Sequence, residues 1–517
     1  MIYIILISCF IVRALPRIVL KNVYISDTYF HLYCAKVIRE NSFRVPTKLP
    51  NVILNHEYTY PFGYHLFLAF FPIKYRLWIE RFSGAFFDTI SAVIIYLFVT
   101  WIVQGNSLIQ FTGLPILVTA LFSFSPGLLR IAWGPRAYNG SPRVAGQTLY
   151  LIHITAAYYA LTTKSMTALI VSIISGAMAI ITTKFGNQVL IFFGLFFTVF
   201  IYYFYPAIVI GSLLLSIALS KGRALHIITG QVKHSVFYVK YLQRVFIWSH
   251  LECITDYFRK LATNGWNLLR CNKVSEAGRW YYTERYFLHI LVTVYPQFLM
   301  LLPLIGQYRQ MLHVEQFFLV WMAAGLFFFF ITKLKWVLFL GEGERYLEYS
   351  LLPSLFLAAN YFLEFNKSIV YGFLIYSIVS AFYYVGECLI CYGKNNSDYK
   401  KTDFVFKQFN NMPSGVVWPI GSFHYQALYR SNFPVLSHGG NVDERLISSD
   451  EFMLVYGNYP YPSGNFEKII GKYNVSYIIS NKSSVEYYAE KIVKRPDDFY
   501  NSRIIIQNMK NQLKTIK

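Results

Sequence analysis

Charge is scarce in this chain. Asp, Glu, Lys and Arg together make up 14% of its 517 residues, against about 25% in an ordinary soluble protein. With 55% hydrophobic and 19% aromatic residues beside them, so few charges cannot cover a globule in water. Cysteine is scarce as well: six in the whole chain exclude a disulfide-knit secreted scaffold. The shortage of polar sequence excludes disorder. Acidic residues are the rarer charge, 26 against 47 Lys and Arg, for a formal net charge of +21. No internal repeat and no low-complexity tract is visible. The first apolar run has no basic n-region before it and no obvious small-residue cleavage site, so it reads as a retained span.

What is abundant is apolar sequence in runs near 20 residues, the length that crosses a bilayer. The runs fall at about 1–20, 81–104, 108–130, 144–163, 165–183, 188–204, 206–219, 284–304, 314–335, 347–364 and 367–392. This predicts an α-helical polytopic membrane protein of about eleven spans, residues 1–392, with a first outer loop at 21–64. Pro206 either ends a helix or kinks one. Residues 220–283 form a basic amphipathic stretch in which Trp248, Leu251, Ile254, Phe258 and Leu261 recur at helical spacing among Arg244, Arg259 and Lys260. That pattern suits a helix lying in the membrane interface. From 393 to 517 the composition shifts to Asn, Ser, Gly, Pro and Lys with short β-prone runs such as Val475–Ser480. This predicts a small soluble C-terminal α/β domain.

Eleven spans put 21–64, 131–143, 184–187, 220–283, 336–346 and the C-terminal domain on one face, whatever the absolute orientation. Nearly every unusual polar cluster lies there. The basic residues sit between spans rather than in one soluble module, which argues against a nucleic-acid partner. It favours an anionic lipid phosphate or a head-group surface.

The first cluster is Ser26-Asp27-Thr28-Tyr29-Phe30-His31. Asp27 and His31 are i and i+4, one face of a helix starting near Ser26. Asp27 is placed to cap that helix, or to take a proton from an acceptor hydroxyl as a general base. The segment runs on to His56, Glu57 and Tyr58-Thr59-Tyr60-Pro61-Phe62-Gly63-Tyr64-His65. Its spacing matches no compact metal motif, and Pro61 and Gly63 mark a turn.

The second cluster holds Arg130, Arg136 and Arg143 on a Gly- and Pro-rich loop; guanidiniums there either grip phosphate bidentately or anchor at the interface. The third, Gly341-Glu342-Gly343-Glu344-Arg345-Tyr346-Leu347-Glu348-Tyr349, sets three acids around one arginine at a membrane boundary. There Arg345 is the phosphate ligand and Glu344 or Glu348 its orienter. Cys388-x-x-Cys391 reads as membrane packing. Asp88 reads as a buried acid inside a span, for which local pairing suffices, with Glu80 and Arg81 preceding it.

In order and residues this layout resembles the GT-C superfamily of polytopic membrane glycosyltransferases, more distantly the catalytic subunits of oligosaccharyltransferases and protein mannosyltransferases. The resemblance rests on one N-terminal span followed by DTYFH, then NSFRVP, YTYPFGYHLFLAF, ITTKFGNQVLIFF, GERYLEYSLLP and a soluble C-terminal domain. It implies a sugar donor on a polyprenyl phosphate or pyrophosphate, a glycan, lipid or protein acceptor, and inversion at the anomeric carbon. It also implies an extracytoplasmic active face and a catalytic carboxylate in the first outer loop, here Asp27, with His31 beside it. The lipid-phosphate leaving group would be met by Arg136, Arg143, Lys184 and Arg345, and the substrate further held by Glu57, Glu344 and Glu348. The second loop, GPRAYNGSPRVAG, has no carboxylate. Asparagine-linked transfer is therefore not expected, and a divalent cation stays only as an open possibility. The stretch 220–283 keeps alive a surface-polysaccharide polymerase or ligase. A lipid-linked-sugar flippase is disfavoured by the missing repeat.

Overall fold

In lipid a backbone must satisfy its own hydrogen bonds, and a continuous apolar run does so as a helix. The computed structural model follows this rule. It describes residues 1–20, 26–54, 56–109, 111–129, 135–237, 239, 254–283, 287–332, 334–341, 343–393, 406, 411, 413–419, 424–437, 451, 455 and 466–479. Among them, four helices are long and apolar enough to cross a membrane: Ile2–Val19, Ile73–Gly105, His313–Ile331 and Lys367–Ile390. The apolar helices Leu114–Ser123, Met166–Thr182, Lys184–Phe200 and Leu351–Phe365 are shorter. The chain is thus a helical membrane protein, and the figure of eleven spans goes beyond what these helices establish. Proline explains part of the gap. Among the described residues of the run at 108–130, the α-helix is Leu114–Ser123, followed by a tight 3-10 turn at Pro126–Leu128. The run at 284–304 breaks before Pro296, whose missing N–H cannot continue a helix.

The chain divides into two compact units. The first comprises Met1–Lys21, Arg81–Ala224 and Phe246–Gly393. Its N-terminal helix carries its polarity inside. Cys9, Val12, Arg13, Pro16 and Arg17 are buried, whereas Ile4, Ile7, Ile11 and Ile18 are exposed. Helical spacing gives each set its own face. An apolar outer face with arginines inward is the arrangement a bilayer selects. The core is aromatic: Phe197 stacks on Phe317 at 5.2 Å, Phe192 on Phe328 at 4.7 Å, and Phe318 meets Phe356 at 4.3 Å. Lipid tails are as apolar as these rings, so close packing holds such helices together.

The second unit comprises Asn22–Glu80, Leu225–Val245 and Lys394–Lys517. Backbone bonds join its early and late segments: Ile53 N–H donates to Val435 O (3.0 Å), Leu54 N–H to Leu436 O (2.8 Å) and Val435 N–H to Asn51 O (2.8 Å). Strands β1 (Val416–Pro419) and β2 (Val475–Ile479) pair in parallel, Trp418 opposite Ile478. β2 is the run expected at 475–480. Helices His424–Arg430 and Phe466–Tyr473 accompany the pair.

Candidate active site

In the first unit, Arg13 and Arg17 leave the N-terminal helix one turn apart and do different work. Arg17 donates to five backbone carbonyls: Arg81 O at 2.8 Å, Ala137 O at 3.1 Å, Arg136 O at 2.5 Å, Asn139 O at 3.1 Å, and Arg13 O. It thereby fixes the turn at 136–139. Gly84 makes room for it, since a Cβ there would lie 2.6 Å from Arg17 Nη2. Arg13 Nε instead donates to Asp88 Oδ2 at 3.1 Å.

Asp88 bridges, with its other oxygen 2.5 Å from Arg136 Nη2. Arg136 Nη1 reaches Glu348 Oε2 at 3.0 Å and bonds Gln147 Oε1. Gln147 Nε2 donates to the same Glu348 oxygen at 3.1 Å, and Arg143 Nε stands 3.7 Å from it. Ser141 caps the helix Pro142–Thr163 by accepting from Arg143 N–H, which sets Arg143 at its first turn. Asp88 therefore pairs across the fold and not with Arg81, correcting the local pairing read from sequence.

The charge balance of this network is unequal. Arg13, Arg17, Arg81, Arg136 and Arg143 are buried in this unit against Asp88, Glu344 and Glu348, among the described residues. Among the described residues of this unit, two more buried side chains are cations than carboxylates, and ionised groups held away from water are costly unless paired. Such an interior favours an anion beside it. Next to the network lies a cavity of about 30 Å³ into which Arg136, Tyr150, Glu348 and Tyr349 project. Arg136 Nε, Tyr150 OH, Glu348 Oε1 and Tyr349 OH have no protein hydrogen-bond partner. The volume suits one or two bridging waters and no sugar or phosphate.

Lys184 opens the helix Lys184–Phe200 and is half-buried. Arg345 lies in the helix Glu344–Tyr349, its guanidinium 4.5 Å from the ring centroid of Phe185, a cation–π contact. Gly341, at φ +96°, lets the chain pass this ring: a Cβ there would meet Phe185 at 2.7 Å. Arg136, Arg143 and Glu348 are thus gathered in one network. Arg345 meets the neighbour of Lys184, and Glu344 is buried in the same short helix. Arg130 and Glu342 lie outside the described residues.

In the second unit, helix Ser26–Glu40 carries Asp27 in its first turn, exposed, where the helix dipole favours a carboxylate. One residue on, Thr28 Oγ1 donates to Glu80 Oε1 at 3.1 Å, both side chains fully buried. His31 turns inward. Its Nδ1 is 2.8 Å from His65 Nε2, and His65 Nδ1 bonds the Tyr58 hydroxyl. Burial pushes the His31 pKa down to about 3. His65 is lowered well below the usual value by burial and then by His31, so both rings are neutral at pH 7. Helix His424–Arg430 packs on helix Ser26–Glu40, with Arg430 Nη2 donating to Tyr29 OH at 2.7 Å and Phe30 4.8 Å from Tyr425. Glu57 is half-buried in a short antiparallel bridge opposite Lys48.

A divalent cation does not fit the described residues. No three of His, Cys, Asp and Glu are grouped to hold one, and Asp88 and Glu348 already face arginines. Arg13, Arg17, Asp88 and Gln147 went unread as a group in the sequence. The signal was present as two arginines four apart within an apolar run, with an acid inside another.

No family model matches this chain, and no curated protein matches it. Among solved structures it is similar to the oligosaccharyltransferase of Archaeoglobus fulgidus, crystallised in complex with Zn and sulfate. The TM-score is 0.49 at 11% identity, over 94% of this chain and 69% of that one.

Proposed function

We propose that this protein is an integral-membrane glycosyltransferase of the GT-C type. It moves a sugar from a polyprenyl phosphate or pyrophosphate to a glycan, lipid or protein acceptor at the extracytoplasmic face. The observation that carries this reading is the buried excess of arginine over carboxylate inside an apolar helical unit. An excess of two positive charges matches a phosphate or pyrophosphate better than any neutral ligand. Exposed isoleucine and leucine on the helices around it suit a prenyl chain.

In this reading Asp27 takes the proton of the acceptor hydroxyl. The acceptor oxygen attacks the anomeric carbon on the side away from the phosphate. The bond from that carbon to the phosphate oxygen breaks, and its electron pair leaves on the phosphate, so the product is inverted. Arg136 and Arg143, with Lys184 and Arg345, offset that developing charge. Fixed cations in a dry interior need no reorganisation to do so. His31 acts through His65, holding the helix that carries Asp27. The test is transfer in proteoliposomes supplied with polyprenyl-phosphate sugars and a panel of glycan acceptors. Transfer that survives Asp27→Asn would remove Asp27 as the base, and lipid scrambling without bond formation would replace the enzyme by a flippase.

A further inference from the structure

In the first unit the helices Ile254–Leu269 and Val274–Thr283 form a hairpin held through the second of them. Ala277 is buried, and the Trp280 ring lies 4.8 Å from that of His289. The first helix is amphipathic in the wrong sense for water. Phe258, Leu261, Trp266, Leu268 and Leu269 are all exposed, Leu269 at 80%, while the polar Lys260, Asn264 and Asn267 on the other side are half-buried. At 100° per residue these apolar side chains fall within one continuous arc, from Leu268 through Leu261, Phe258 and Leu269 to Trp266.

A soluble protein turns such a face inward. This one turns it out with Arg259 and Arg270 at its edge, and residues 254–283 carry five cations, Arg259, Lys260, Arg270, Lys273 and Arg279, against Asp256 and Glu276. Arg270 folds over the ring of Trp266 at 4.2 Å, keeping a cation beside an aromatic of the kind found at head-group level.

We infer that this hairpin docks on an anionic phospholipid surface, the apolar arc dipping among the acyl chains and the basic rim meeting lipid phosphates. The net charge selects anionic over zwitterionic lipid, and the uncovered apolar face supplies the rest of the binding. The inference stands apart from the glycosyltransferase reading, since it uses no residue of that site.

The test is amide hydrogen exchange of the full-length protein in nanodiscs of phosphatidylcholine alone and of phosphatidylcholine with phosphatidylglycerol. The amides of 261–269 are expected to exchange about a hundredfold more slowly in the anionic discs, the factor that three net charges give near such a surface. Arg259→Gln, Lys260→Gln and Arg270→Gln together should abolish the difference. Leu268→Ser with Leu269→Ser should speed exchange in both discs. Equal rates in the two discs would overturn the inference, as would a difference that survives the triple glutamine variant. Rates that depend on the number of copies per disc would assign the face to a second copy of this chain instead.

Discussion

Asp88 gives the sharpest test of the arginine network, because a single carboxylate there answers two guanidiniums. It contacts Arg13 at 3.1 Å and Arg136 at 2.5 Å, with all three side chains at 4% exposure or less. Asp88→Asn keeps the shape and removes the charge. Breaking a buried ion pair from one side costs about 3–5 kcal/mol, because the remaining charge is stranded in low dielectric. Here two cations lose an anion, so the upper end applies. Against a total stability of about 5–15 kcal/mol, the variant stands near the edge of folding.

The second perturbation, Arg13→Met, removes one cation and leaves Asp88 paired with Arg136. Combined with Asp88→Asn it restores the native charge balance, while Arg136 keeps Glu348. The double variant should therefore lose less than the sum of the two single losses, by about 0.5–3 kcal/mol. Unfolding of the detergent-solubilised protein by SDS titration, followed by tryptophan fluorescence, measures all four corners of the cycle. Strict additivity would show that Arg13 and Asp88 do not interact, and the charge argument for the site would fall with them.

Asp27→Asn should abolish transfer while leaving the polyprenyl-phosphate donor bound, and at an exposed first-turn position it should shift stability by no more than about 1 kcal/mol; lost donor binding would assign Asp27 to the donor. Arg345→Ala should weaken donor binding and turnover together, with partial rescue in Arg345→Lys, since a point charge replaces the planar fork but cannot stack on Phe185 in the same way. Full rescue by lysine in steady-state kinetics would discard the bidentate role. The buried histidines give a pH signature. Their folded-state pKa values lie below the unfolded value near 6.5, so the unfolded chain binds more protons in acid. The stability they contribute is whole above pH 6.5 and is lost as pH falls towards about 3 for His31, by about 1.4 kcal/mol per pH unit for each ring. His65→Gln should flatten that slope in urea titrations run from pH 7 to pH 4, and an unchanged slope would place the proton uptake elsewhere.

The sequence made some levels of this structure legible and hid others, for physical reasons. Helix positions in the long apolar runs could be read because periodicity and hydropathy are local: the runs at 165–183 and 206–219 became Met166–Thr182 and Tyr205–Leu219. The β-prone run at 475–480 became β2 for the same reason, while its partner β1, sixty residues earlier where Trp418 lies opposite Ile478, carries no local mark of the pairing. The clusters around Arg136 and around Arg345 were visible as unusual charge at membrane boundaries. What they touch was not.

The network that joins Arg13 to Asp88, Asp88 to Arg136 and Arg136 to Glu348 spans separations of 75, 48 and 212 residues. No spacing rule reaches so far, which is why local pairing is the reading that the sequence around Asp88 offers. Charge accounting does reach that far. Each ionised side chain inside an apolar run must find a partner or a ligand, because the bilayer offers neither. Arg13 and Arg17 sit in one run and Asp88 in another, and this alone requires the two helices to face each other or to share an anion. The same accounting would have separated Asp27 from His31. In the helix Ser26–Glu40, Asp27 is exposed while Thr28 and Tyr29 beside it are buried, so one face need not mean one environment. Asp27 is exposed and His31 is buried against His65. Proton abstraction from an acceptor needs the exposed carboxylate, whereas a neutral imidazole held between His65 and its own helix is suited to fixing geometry.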